Sequence, residues 1–180
     1  ENYIIRNPVL SGLIVSNACF LVSLIILNKF VTEEFGRSIA SKTILYISIF
    51  PTAFFFNSFY TESMYLMFLI LGFYYAKRGN YLYSGIFGFF CSLTRLAGIS
   101  LFVPVFYLYA KQYYRSTNFV SRNLLYICLI PLGLVTYVLY QYLAIGNPLQ
   151  FVETSKNWGH SLSLPYVSIK NAVGLVFIGT

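Results

Sequence analysis

The stretch Tyr60-Thr61-Glu62-Ser63-Met64-Tyr65-Leu66-Met67-Phe68-Leu69-Ile70-Leu71-Gly72-Phe73-Tyr74-Tyr75-Ala76-Lys77-Arg78-Gly79-Asn80 sets one carboxylate in front of a long apolar run and ends that run with two cations and a turn. Met64 to Ala76 lacks period-two alternation, so it reads as helix and argues against a membrane β-barrel. Gly79 and Asn80 supply the stop. Glu62 is the only acidic residue between Glu34 and Glu153. An ionised carboxylate in such surroundings needs a specific partner or a watery cavity, which makes Glu62 the first candidate for function. One hairpin later, Ser92-Leu93-Thr94-Arg95-Leu96 presents a lone Arg, with no other charge from Gly79 to Ala110.

Composition places the whole chain in the same class. Of 180 residues, 58% are hydrophobic and 9% charged, whereas soluble domains carry roughly 25% charged residues. That excludes an ordinary soluble domain. The expected fold is all-α, a single membrane-embedded domain over residues 1–180 built as a polytopic transmembrane bundle of about seven helices, several of them short or broken by Pro. Cys19, Cys91 and Cys128 all lie in apolar segments without metal-type spacing and read as packing residues. The chain opens at Glu1 without Met or a basic leader and stops inside the apolar run Gly174 to Thr180, so it reads as a piece of a longer protein.

The first span is expected from about Val9 to Asn28, followed by a polar connector from Lys29 to Lys42. The second, about Thr43 to Phe59, contains Phe50-Pro51 and should be kinked or divided there. The third runs from about Ser63 to Ala76, the fourth from Tyr81 to Leu93, and the fifth, with its own Val103-Pro104, from Ala97 to Ala110. A basic connector, Lys111 to Arg122, precedes the sixth span, Leu124 to Ile145. The loop Gly146 to Tyr166 holds the only Trp and the only His, and a seventh span begins near Val167.

Basic residues set the orientation, because cytoplasmic loops carry the excess of Lys and Arg. Lys29, Arg37, Lys42, Lys77, Arg78, Lys111, Arg115 and Arg122 fall in three connectors. The Glu62 apex, the Arg95 apex and the 146–166 loop should then share the extracytoplasmic face. The net charge of +7 is accounted for by the inner leaflet and calls for no nucleic acid.

Phe50-Pro51-Thr52-Ala53-Phe54-Phe55-Phe56, Tyr60-Thr61-Glu62-Ser63, Lys77-Arg78-Gly79 and Leu93-Thr94-Arg95-Leu96-Ala97-Gly98 together resemble the core of the PIG-V type mannosyltransferases and their prokaryotic relatives. Gly146-Asn147-Pro148-Leu149-Gln150-Phe151, with Trp158-Gly159-His160 and Pro165, is similar to the loop those proteins carry after the corresponding span. The resemblance implies a GT-C type glycosyltransferase. It would move a sugar from a polyprenyl or dolichyl phosphate donor to a glycan, glycolipid or protein acceptor at the outer or lumenal face. It also implies an integral, multi-pass location, in the cell membrane of a prokaryote or the endoplasmic reticulum of a eukaryote. The chain departs from the family pattern in having no Asp at all. The main catalytic Asp is therefore expected upstream, and the piece by itself is expected to be inactive. His160 stands where relatives often carry Arg.

Such a transfer needs a base for the acceptor hydroxyl and donors for the departing phosphate. Arg95, with Thr94 beside it, suits the phosphate, since a guanidinium holds it with two parallel hydrogen bonds. Glu62 is the catalytic candidate within the chain. Its alternative role is as a first-turn acid following Asn57 and Ser58 as N-caps, paired with Arg95. Tyr60, Thr61, Trp158 and His160 are candidate substrate contacts, each with a plainer role as interfacial aromatic, cap or exposed loop residue. No metal site is read from the sequence, no cofactor is assigned, and need for a divalent ion is left open. A transporter or lipid flippase would also use broken helices and isolated charges, and a non-catalytic subunit of a membrane complex would explain the absent Asp.

Overall fold

A computed structural model describes residues 8–113 and 122–147. The chain divides into two compact units, 1–137 and 138–180. The described residues form helices and contain no strand. α1 spans Pro8–Phe35 and α2 Arg37–Ile49, and a 3-10 turn occupies Ala53–Asn57. α3 spans Glu62–Lys77 and α4 Tyr81–Thr94. A second 3-10 segment, Leu96–Leu101, leads into α5, Phe102–Tyr113, and α6 and α7 follow over Arg122–Ile127 and Leu129–Ile145.

Two of the described helical stretches are long and apolar enough to cross a membrane, Pro8–Phe35 and Arg122–Ile145. In the most apolar window of the first, only 11% is buried within the protein, so its apolar surface faces outward rather than into a core. The remaining α-helices are shorter, from 12 to 16 residues, or about 18 to 24 Å at 1.5 Å per residue. Neither the loop 146–166 beyond Asn147 nor the seventh span falls within the described residues.

The sequence places a polar connector over 29–42, but the structure continues α1 to Phe35 and starts α2 at Arg37. Gly36 alone makes the joint, at φ 88, a left-handed conformation that costs glycine little. The Pro51 break falls where the sequence puts it. α2 stops at Ile49, Phe50 turns to ψ 140, and the Ala53 N–H closes a turn onto the Phe50 carbonyl at 2.7 Å.

Pro104 behaves differently from expectation. It is the third residue of α5, inside the first turn, where its missing N–H would have no intrahelical acceptor. The break lies ahead of it, in the 3-10 segment. The sixth span carries a break the sequence reading did not assign: α6 ends at Ile127 and α7 begins at Leu129. Pro131 explains it, because its ring crowds the carbonyl four residues back, on Ile127.

Within the first unit the helices alternate in direction. Ser16 meets Tyr60 and Glu34 meets Lys77, so α1 and α3 run parallel. Rings of Tyr75 and Tyr83 lie 5.3 Å apart and those of Phe68 and Phe90 5.4 Å, which makes α3 and α4 antiparallel neighbours. α6 and the start of α7 pack along α4, with the Tyr126 backbone against Gly85 and Ile130 against Gly88. The core is where α3, α4, α5 and α6 meet, around Ala76, Tyr81, Cys91, Leu101, Val105, Tyr109 and Ile127.

Among the described residues, ion pairs mark two opposite ends of this packing. At one end Glu34 pairs with Lys77 at 3.0 Å and Glu33 with Arg78 at 2.8 Å. The Arg78 guanidinium also lies 4.5 Å from the centre of the Tyr74 ring. The Tyr81 hydroxyl donates to Gln112 at 2.7 Å, and Asn123 donates to the Tyr113 hydroxyl at 2.9 Å, so the end of α5 and the start of α6 lie there too. Glu62 and Arg95 sit at the other end, one α3 length away.

Candidate functional site

The site begins with the backbone that carries Glu62. Glu62 is the first residue of α3, in the turn where a helix favours negative charge. The structure does not use Asn57 or Ser58 as N-caps. Those residues are taken up by the 3-10 turn, with the Ser58 hydroxyl donating to the Phe54 carbonyl at 2.7 Å. Thr61 holds the N-cap position without a side-chain capping bond. Ser63 ties the helix start to the 3-10 turn by donating to the Phe56 carbonyl at 2.5 Å.

Arg95 is placed by the end of α4. Its backbone is extended, φ −150 and ψ 145, and its N–H donates to the Cys91 carbonyl at 3.3 Å. The Thr94 hydroxyl donates to that same carbonyl at 2.8 Å. The Gly98 N–H then returns to the Arg95 carbonyl at 2.8 Å, folding the 3-10 segment back over the helix end. Gly98 is required for this, since a Cβ there would collide with the Cys91 carbonyl. The cation therefore stands at the C-terminus of a 14-residue helix, which favours it.

The two isolated charges meet. Arg95 Nη1 donates to Glu62 Oε1 at 2.9 Å, with side-chain exposures of 46% for Arg95 and 21% for Glu62. The contact uses one nitrogen and one oxygen, not the parallel fork of a bidentate pair. Glu62 Oε2 is buried without a hydrogen-bond partner. Most of the guanidinium's donors remain available to a ligand.

Arg95 and Thr94 line a cleft of about 420 Å³, together with Thr61, Tyr65, Ser92 and Tyr137. A second cleft, of about 360 Å³, opens between α1 and α3. Its wall is apolar over Gly12, Val15, Phe59 and Met64, and it also includes Tyr60 and Thr61. Thr61 lines both clefts. Tyr60 offers its carbonyl to the Ser16 hydroxyl at 3.0 Å, and its exposed ring packs edge-on against Phe55.

Of the residues singled out in the sequence, the structure thus brings Glu62, Arg95, Thr94, Thr61 and Tyr60 to one end of the packed helices. Trp158 and His160 lie outside the described residues. Tyr65, Ser92 and Tyr137 were not singled out. Helical periodicity could have found the first two, because Tyr65 lies one turn after Thr61 and Ser92 one turn before Arg95. Tyr137 enters only through the packing of α7 on α4. Among the described residues, no group of three or more His, Cys, Asp or Glu side chains could hold a metal ion.

Comparison with known protein families, with curated proteins and with solved structures finds no match to this chain.

Proposed function

We propose that this chain is the membrane-embedded part of a multi-pass glycosyltransferase of GT-C type that takes a sugar, mannose in the reading the sequence resemblance favours, from a polyprenyl or dolichyl phosphate donor. The observation that carries the proposal is the pair of neighbouring clefts that share Thr61 in their walls, one bearing Arg95 and the other largely apolar. A lipid phosphate sugar is an amphiphile with the same two demands, a cation for its phosphate and hydrocarbon surface for its chain. In the transfer, the acceptor hydroxyl oxygen forms the new bond to the anomeric carbon as the sugar–phosphate bond breaks, its proton passes to a carboxylate base, and the electron pair of the broken bond leaves with the phosphate. Arg95 takes the phosphate, with Thr94 in the cleft wall beside it but its hydroxyl already donated to the Cys91 carbonyl, and Glu62 holds Arg95 through Oε1 and offers Oε2 to a hydroxyl. The acceptor is a glycan, glycolipid or protein.

The position of the charges favours this reading over a carrier. A transporter places its polar groups near the bilayer midplane, whereas Glu62 begins α3 and Arg95 ends α4.

Binding of the donor class tests the proposal. The purified protein in detergent is expected to bind polyprenyl phosphate hexose at least about tenfold more tightly than the matching polyprenyl alcohol, the scale of one charge-assisted contact. Equal affinity for the two lipids would remove the basis for a phosphate site.

The orientation has its own test. With the three native cysteines replaced, a single cysteine at Asn57 should react with an impermeant reagent in intact cells, and one at Asn80 should react only after permeabilisation. Both residues are exposed. The reverse pattern would put the Glu62–Arg95 end in the cytoplasm.

A further inference from the structure

Ser92 carries a hydroxyl that the fold does not use. It lies in the last turn of α4, is 2% exposed, and its Oγ is buried without a hydrogen-bond partner. A helical serine ordinarily donates to the carbonyl one turn back, as Ser23, Ser41 and Ser48 do in this chain. Ser92 does not, and a buried polar atom left alone destabilises the folded state. Alanine would serve the packing better. The hydroxyl is also placed where a ligand could complete it, on the wall of the Arg95 cleft, and it can reach other staggered positions by rotation about one bond.

The chemistry of that ligand follows from the second unpartnered oxygen at the same end. Glu62 Oε2, when ionised, can only accept hydrogen bonds and repels an anion. Its complement is a neutral donor. Arg95 addresses the anionic part, so a hydroxyl-bearing group next to the phosphate meets Ser92 Oγ on the cleft wall and extends toward Glu62, which adjoins the cleft through its bond to Arg95. A cleft of about 420 Å³ is within the usual size of small-molecule sites.

We infer that Ser92 is a sugar-binding residue, its hydroxyl hydrogen-bonding one hydroxyl of the hexosyl group while Glu62 Oε2 accepts from another. The inference rests on the lipid phosphate sugar reading above. It assigns selection of the sugar to Ser92 and retention of the phosphate to Arg95.

The experiment compares two lipids on the intact protein in detergent, polyprenyl phosphate hexose and the same polyprenyl phosphate without sugar. Ser92→Ala is expected to lower affinity for the first by about tenfold, to leave affinity for the second unchanged, and to melt no lower than the parent protein. Ser84 is the control. Its Oγ is likewise buried and unpartnered, but it lies more than two turns earlier in α4, so Ser84→Ala should change neither affinity. Should the alanine variant fail to fold, Ser92→Cys keeps the volume with a much weaker hydrogen-bonding group and should show the same selective loss. Equal loss for both lipids, or loss for neither, overturns the assignment of Ser92 while leaving the phosphate site standing. Failure of the parent protein to bind either lipid overturns the function and the assignment together.

Discussion

In the full-length protein, Arg95→Ala lowers transfer from a lipid phosphate sugar by about 100-fold or more, the scale for removing a donor that meets charge developing in the transition state. Arg95→Lys falls between the variants, because an ammonium keeps the charge and loses the planar fork. The expected order of donor affinity is wild type, Lys, Ala. Fold stability should move far less. The pair is a single contact with Arg95 about half exposed, closer to a surface ion pair than to a buried one, so its loss costs on the order of 1 kcal/mol. Thermal melting and sugar transfer measured on the same preparations separate the two effects. An Ala variant that melts near the wild type and transfers sugar normally would remove Arg95 from the site.

Glu62→Gln is the second large effect and the more discriminating one. The amide keeps the shape of the side chain and can still accept from Arg95 Nη1 through its oxygen, but it gives up the charge. If Glu62 Oε2 meets a substrate hydroxyl, turnover falls by roughly ten- to a thousand-fold, as expected when a charge-assisted contact is lost, and melting changes by no more than about 1 kcal/mol. If Glu62 serves only to balance Arg95, turnover survives in proportion to folded protein. The double change Glu62→Gln with Arg95→Gln completes a cycle that isolates the pair. Recovery of stability and activity together would make the pair structural and end the catalytic assignment of Glu62. Recovery of stability alone leaves both roles in place.

The same pair shows how far the sequence could be read. One acid and one base, each alone among apolar residues, were bound to need partners, and the structure makes them each other's partner at 2.9 Å. The geometry of that contact was not legible. Whether Arg95 presents a closed fork or one nitrogen depends on the extended backbone at residue 95 and on Gly98 folding against Cys91, and both are properties of the packed chain. The caps were misread for a related reason: Asn57 and Ser58 have the composition of N-caps, but a 3-10 turn beginning at Ala53 claims them first.

By itself the sequence determined the helical class, the break at Pro51, the turn at Gly79 and Asn80, and the gathering of Glu62 and Arg95 at one end. These follow from local rules of hydrophobic runs, proline stereochemistry and glycine freedom, which act over a few residues. Only the tertiary structure decided that residues 29–42 are mostly helix around one glycine, that Pro104 and Pro131 each stand third in a helix with the break just ahead of it, and that Ser92 and Tyr65 share a cleft with Arg95. Each of these depends on the neighbour a residue packs against, such as Lys77 against Glu34 or the Tyr126 backbone against Gly85, and a contact between residues tens of positions apart leaves no mark in the local pattern of either.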